Sequence, residues 1–388
     1  RCGALLYRNV PSSVDRSLAL FSAAFVLLLI ANFFPFLALK VGGRIEEDRV
    51  IGSGLALVDF GMAELGAVVF LTSIVFPGIT ILGTLYLLVA RKLNLAVPGF
   101  RRVFRLVHAL APWSLLGVFL LGTLISIVKL KDLATVVPGA GLFAFFGLVI
   151  VYSAARSGFD ADVLWDPFRV KPLTTDDLSP DLEVQHCHTC GFLNRTTDER
   201  GHAIHRCVRC HASVHHRVEA SVQKTWALMA AAIVMLVPAN LLPVMTVSQL
   251  GRGEPSTIMS GVVHLIEAGM WGLGLLVFFA SVVVPAAKLG ALAFLLRSVK
   301  SGSRWRPHDR TKLYRFTEAI GAWSMVDVFL VGLLAGLVSL GILATIEPGL
   351  GATFFAAAVI LTMFAAHSFD PRLIWDHADD EPPAEVER

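Results

Sequence analysis

Eight stretches of this chain are each apolar for long enough to cross a bilayer as a helix, and a water-soluble core has little use for so many. They run roughly over 17–39, 62–90, 106–130, 138–155, 225–247, 265–296, 315–345 and 349–367. A helix rises about 1.5 Å per residue, so about 20 apolar residues span the hydrocarbon. Gly and Pro interrupt several of the stretches, which membrane helices tolerate better than soluble ones. Only 16% of the 388 residues are charged, against roughly 25% in a soluble domain. The expectation is an all-α polytopic membrane protein with eight transmembrane helices.

The charges that remain set the orientation. The loop after the second stretch carries Arg91, Lys92, Arg101, Arg102 and Arg105 with no acid. The loop after the sixth carries Arg297, Lys300, Arg304, Arg306, Arg310, Lys312 and Arg315 against Asp309. The opposite loops mix Arg44 and Arg49 with Glu46, Glu47 and Asp48, and Arg252 with Glu254. Short loops rich in Lys and Arg stay in the cytoplasm. Both termini, the two basic loops and the segment between the fourth and fifth stretches are therefore expected there. The net charge of +3 is small and loop-bound, so it speaks to orientation and not to nucleic acid.

The chain also repeats itself at a shift of 208–210 residues. "ANFFP" (Ala31–Pro35) returns as "ANLLP" (Ala239–Pro243), and Pro77 as Pro285. "WSLLGVFLLG" (Trp113–Gly122) returns as "WSMVDVFLVG" (Trp323–Gly332), and "FDADVLWD" (Phe159–Asp166) as "FDPRLIWD" (Phe369–Asp376). Matches in register over that distance describe two tandem four-helix units of one orientation, a parallel repeat of the kind found in transporters. The expected division is 1–16 as the remnant of a first ribbon with its linker, 17–170 as the first unit and 171–222 as linker and ribbon. The second unit takes 223–377, and 378–388 is an acidic tail expected to be disordered. Asn32 and Asn240 precede Pro35 and Pro243 near helix ends, where an amide side chain can bond backbone that proline leaves free.

Between the units lie Cys187-x2-Cys190 and Cys207-x2-Cys210, sixteen residues apart. Two such knuckles are a zinc-ribbon signal: four thiolates close a tetrahedral shell around Zn²⁺ and leave no open position, so the metal is structural. A reducing cytoplasm disfavours disulfides. Cys2 aligns with Cys210 and is expected to be the last ligand of a first ribbon whose other ligands would precede Arg1. His186, His188, His202, His205, His211, His215 and His216 crowd the segment as solvated residues.

Ionisable groups inside a bilayer are costly and mark function. Lys288 is nine residues from Arg297, about 14 Å deep, and Asp327 is twelve from Arg315, about 18 Å deep. Side by side, they would form an ion pair or face one polar cavity. Ser281, Pro285 and Lys288 share a face by helical counting, and Thr362 is a further member of that cavity. Thr80 and Gly117 stand where the second unit has Lys288 and Asp327, so the second unit is expected to hold the working pathway and the first to be scaffold. Lys129 and Asp132 are a second candidate set at the end of the third stretch. A buried Lys–Asp pair could couple to protons.

The ribbon before a four-helix unit, "ANLLP", "WSMVDVFLVG" and the "FDPRLIWDH" ending together resemble the PqiA/LetA family of bacterial inner-membrane proteins. The resemblance implies tetraspanin-like units, a multi-pass protein of the bacterial inner membrane and a periplasm-spanning MCE-domain tunnel protein as partner. It also implies phospholipid traffic between membranes and a role in envelope integrity. No P-loop, dinucleotide glycine pattern or nucleophile elbow is present. The expected function is a non-enzymatic component of intermembrane lipid transport. The alternatives are a redox or metal-responsive membrane protein that uses the thiols, and a purely structural anchor for the tunnel protein.

Overall fold

The computed structural model describes residues 13–41, 44–95, 97–130, 135–168, 184–196, 205–214, 217–249, 252–267, 269–321, 325–337 and 344–376. The first unit contains α1 (Ser13–Phe33), β1 (Leu37–Val41), β2 (Arg44–Asp48), α2 (Val50–Asp59) and α3 (Ala63–Lys92). It continues with α4 (Phe100–Leu110), α5 (Leu116–Leu130), β3 (Thr135–Pro138) and α6 (Ala140–Gly158). A hairpin of β4 (Val184–His186) and β5 (Leu193–Arg195) comes next. The second unit repeats the order: α7 (Ser221–Leu241), β6 (Met245–Gln249), β7 (Arg252–Ser256), α8 (Ile258–Glu267) and α9 (Trp271–Lys300). It ends with α10 (Pro307–Ile320), α11 (Val326–Leu337), β8 (Ala344–Pro348) and α12 (Leu350–Ser368).

Among the described residues, seven helical segments are long and apolar enough to cross a membrane. They correspond to every expected stretch but 315–345, which falls on α10 and α11. Apolar side chains line the outer faces of these helices: Val26, Leu29 and Phe33 on α1 and Phe143, Phe146 and Ile150 on α6 are exposed at helical spacing. Such a surface suits acyl chains and not water.

Each unit closes its first and last helices into an antiparallel pair. At one end Ser13 Oγ donates to Gly158 O and accepts from Asp160 N; Ser221 Oγ does the same with Ser368 O and Asp370 N. At the other end Gly141 N donates to Pro35 O at 2.9 Å and Gly351 N to Pro243 O at 3.0 Å. A Cβ on Gly139 would stand 2.1 Å from Pro35 O, and one on Gly349 2.2 Å from Pro243 O, so only glycine admits this approach. Asn32 and Asn240 each donate to the carbonyl four residues back, Leu28 O and Leu236 O, at 2.8 Å.

Beyond the prolines lies structure that the apolar stretches concealed. The first stretch was expected to stay helical to residue 39. The helix ends at Phe33, and the chain enters an antiparallel sheet ordered β2-β1-β3, repeated as β7-β6-β8 in the second unit. Leu37 and Leu39 are buried while Lys40 is exposed, the period-two alternation of a strand. Both sheets cap their units at the end away from the β4–β5 hairpin.

The long helices α3 and α9 each contain one π turn, Leu71–Val75 and Phe279–Val283, just before Pro77 and Pro285. A proline offers no N–H to the carbonyl four residues earlier and collides with it. Those carbonyls belong to Ser73 and Ser281, and the wider turn relieves the collision.

The units meet through equivalent helices. Phe119 of α5 and Phe329 of α11 are repeat mates, and their rings pack edge to face at 5.4 Å. A Cβ on Gly122 would lie 3.1 Å from Phe329, and one on Gly332 3.1 Å from Leu57. Yet the contact is lopsided. Met325, Val326, Val328, Phe329, Leu330, Val331, Leu333 and Leu334 are all buried, because α11 reaches across to α2 as well as α5, whereas Leu124 and Val128 of α5 remain exposed.

Candidate functional site

The thiol centre is built from two equivalent knuckles. In one, Cys187 N donates to Phe192 O and Gly191 N to Cys187 O; in the other, Cys207 N donates to Ala212 O and His211 N to Cys207 O, all at 2.9 Å. Gly191 (φ +73°) and His211 (φ +58°) adopt the left-handed backbone that turns the chain after each second cysteine. The four sulfurs are buried and lie within 4.8 Å of one another. Cys187 and Cys210 are 3.6 Å apart, as are Cys190 and Cys207. A tetrahedron with metal–sulfur bonds of about 2.3 Å has edges of about 3.8 Å, so the centre fits a metal ion in a four-sulfur shell. Hydrogen bonds among the thiols push Cys207 down, Cys187 first among the causes, and Cys187 down, Cys190 first, while Cys187 pushes Cys190 and Cys210 up, so two of the four are poised as thiolates. Cys2 lies outside the described residues.

The ribbon docks on both units. Arg209 pairs with Asp162 at 2.6 Å and lies over the Trp165 ring at 5.3 Å. Arg105 donates to His211 O at 2.9 Å. On the second unit, Arg372 donates to His188 Nε2 at 3.1 Å, and Arg217 pairs with Asp376. Asp162 and Arg372 are repeat mates, so the two copies of one motif hold one ribbon with opposite charges.

Inside the second unit, Lys288 and Thr362 are each 3% exposed. Lys288 Nζ donates to Thr362 Oγ1 at 3.2 Å, and Thr362 Oγ1 donates to Val359 O at 2.7 Å. A Cβ on Gly321 would fall 2.8 Å from Lys288 Nζ; glycine there makes room for the ammonium. Asp327 lies in the first turn of α11, and Lys129 near the end of α5, with side chains outside what the structure describes. Asp132 lies outside the described residues.

Ser281 belongs to a different place. Its Oγ donates to Val277 O at 2.7 Å within the π turn, and it lines a small apolar cavity of about 40 Å³ between α8, α9, α11 and α12. Leu265, Val277, Val331 and Phe355 form its walls; Met245 and Ser256 place it at the sheet end. Lys288 is not among the residues that line it. The π turn explains the separation: one extra residue per turn rotates the rest of the helix by about 100°, so helical counting from Ser281 does not reach the face of Lys288. The cavity itself was not readable from sequence; its walls are ordinary apolar residues.

Two repeated membrane units, sheet-capped at one end and bound by one buried four-cysteine cluster at the other, define a multi-pass membrane protein of duplicated design. The family described as "Paraquat-inducible protein A" (PqiA) matches over residues 14–169 and 222–379, one match per unit. The chain belongs to the PqiA family. It is 32% identical over 392 residues to "Intermembrane transport protein PqiA" of Escherichia coli strain K12, covering 100% of this chain and 91% of the relative. To "Lipophilic envelope-spanning tunnel protein A" of the same strain it is 32% identical over 380 residues, covering 97% and 85%. To a "Probable intermembrane transport protein" of Haemophilus influenzae it is 28% identical over 386 residues, covering 98% and 91%. No solved structure matches.

Proposed function

We propose that the chain is the membrane component of an intermembrane lipid transport system, and that lipid enters or leaves the bilayer through the second unit. The cavity beside Ser281 carries this reading. Its apolar walls suit the end of an acyl chain, and its position at the sheet end suits transfer away from the bilayer. The relatives' names support the class of activity, and the resemblance supports an MCE-domain tunnel protein as the partner that takes or supplies phospholipid.

In this reading the protein sits in the bacterial inner membrane with eight crossings, α10 and α11 together forming the seventh. The basic loops put the ribbon in the cytoplasm and the sheets in the periplasm. The ribbon holds structural Zn²⁺, which staples the units and takes no part in chemistry. The chain is not an enzyme; it works by where lipid binds. Lys288 with Thr362, and Asp327 on α11, would link movement to protons; transport in proteoliposomes that ignores an imposed pH gradient would sink that part. Lys129 and Asp132 are kept as a secondary polar set at the end of the third apolar stretch.

The test is native mass spectrometry of protein purified from its own membrane. The expected result is a retained phospholipid, largely displaced when Gly261→Phe fills the cavity. Lipid content equal to that of an unrelated membrane protein, and unmoved by the substitution, would overturn the proposal.

A further inference from the structure

The first unit, read from sequence as scaffold, has a site of its own at the opposite end. Thr80 and Tyr152 stand 3.1 Å apart, where their repeat mates Lys288 and Thr362 stand 3.2 Å apart in the second unit. Around Lys288 the protein is closed. Around Thr80 it opens into a cavity of about 440 Å³, roofed by Thr189, Cys190 and Gly191 of the ribbon. Its floor is apolar, with Phe21, Leu87, Phe104 and Phe159, and its wall carries the hydroxyls of Thr80, Thr84 and Tyr152.

The charge around this cavity is uncompensated. Arg156 and His108 both line it, and the Arg156 guanidinium has no ion-pair or hydrogen-bond partner among the described residues. The acid that lines the cavity, Asp162, is held by Arg209 at 2.6 Å. His188 is engaged by Arg372. His108 stacks on Phe104 with 6.5 Å between centroids, which fixes its ring beside the floor. In the second unit the mates of Arg156 and His108 are Ala366 and Glu318, so this cationic character belongs to the first unit alone.

An apolar floor beneath a free guanidinium, with hydroxyls between them, selects an amphiphile whose head is an anion. A guanidinium fork matches phosphate oxygens better than a point charge does. We propose that this cavity binds the phosphate headgroup of an anionic phospholipid from the leaflet on the ribbon's side, its acyl chains leaving along the floor of Phe21 and Phe159. The two units would then hold lipid at opposite ends of the membrane: the first beneath the ribbon, the second beside its sheet. The site goes beyond the transport reading and does not need it.

The test uses the full chain in vesicles with a photo-crosslinking amino acid in place of Ala161, which lines the cavity, and in a second chain in place of Leu265, which lines the second unit's cavity. Vesicles contain phosphatidylglycerol or phosphatidylcholine alone. The expected result is a phosphatidylglycerol adduct at position 161, reduced about tenfold by Arg156→Ala, the loss of one charge-assisted hydrogen bond. Arg156→Lys should restore part of it, and unfolding temperature and metal content should match the parent. Adducts at 265 with none at 161 would overturn this proposal alone; adducts at 161 with none at 265 would overturn the second-unit cavity alone. Equal labelling by both lipids would remove the anion preference. Loss of the 161 adduct to millimolar glycerol phosphate would show a soluble phosphate ester as the occupant and overturn the lipid assignment.

Discussion

The two units share one design, yet α11 of the second unit treats them differently. In the first unit, Leu57 and Val69 are wholly buried, and the backbone of α11 at Gly332 comes close enough that a Cβ would lie 3.1 Å from Leu57 and 3.5 Å from Val69. The mates of those two residues, Leu265 and Val277, line the open cavity of the second unit. A space that is plugged in one copy keeps a small cavity in the other. Equal halves thus give unequal sites because one helix crosses over without an equivalent return. The lesson concerns duplication: the equivalent pairing of α1 with α6 and of α7 with α12 keeps the frame, and a single unreciprocated contact makes one copy receptive.

The largest effect should come from the part that treats both units alike. Cys190→Ser with Cys207→Ser removes half the thiol shell; structural zinc in small peptides contributes about 10 kcal/mol. Bound metal by elemental analysis should vanish, and proteolysis should begin between residues 184 and 214. Next come the glycines that admit the helix approach. Gly139→Ala and Gly349→Ala each push a methyl group onto a carbonyl, at a cost of roughly 3 kcal/mol. Equal losses in unfolding temperature would sharpen the equivalence of the frames; a loss at one site only would break it.

A smaller effect separates plug from cavity. Gly332→Leu collides with Leu57 and should destabilise by about 2 kcal/mol. Gly261→Leu fills open space, since its Cβ meets nothing nearer than Ser256 Oγ at 3.7 Å. It should lower lipid occupancy about tenfold with unfolding temperature unchanged. The smallest effect concerns Asp48, at the end of β2. Burial, opposed by the hydrogen bond from Arg49 N, raises its pKa from 3.8 to about 6. The folded state thus holds the proton more tightly than the unfolded one. That contribution is complete below pH 3.8 and is lost as pH rises through 6. Asp48→Asn should flatten the pH dependence of melting across this window and raise the unfolding temperature at neutral pH. Ser256 occupies the equivalent place, so the second unit supplies no such dependence.

The repeat was legible because Asn–x2–Pro and the tryptophan segments carry constraints that composition cannot imitate. The thiol centre was legible because metal ligands need fixed spacing. The amide bonds of Asn32 and Asn240 were legible from the prolines beside them. The sheets were not: Leu37 and Leu39 continue an apolar run, and alternation over five residues looks like a helix end when the neighbours are apolar too. The π turns were hidden for a related reason, since an inserted residue leaves no mark on composition and still re-aims Ser281. Nor could sequence show that α11 would cross into the first unit, because a long-range packing choice between two near-identical grooves depends on fit.

The most direct test places a photo-crosslinker at Leu265 and, in a separate chain, at its repeat mate Leu57, in membranes that carry labelled phospholipid. The account predicts a lipid adduct at 265 and none at 57, where α11 already occupies the space. Equal adducts at both positions, or an adduct at 57 alone, would contradict it.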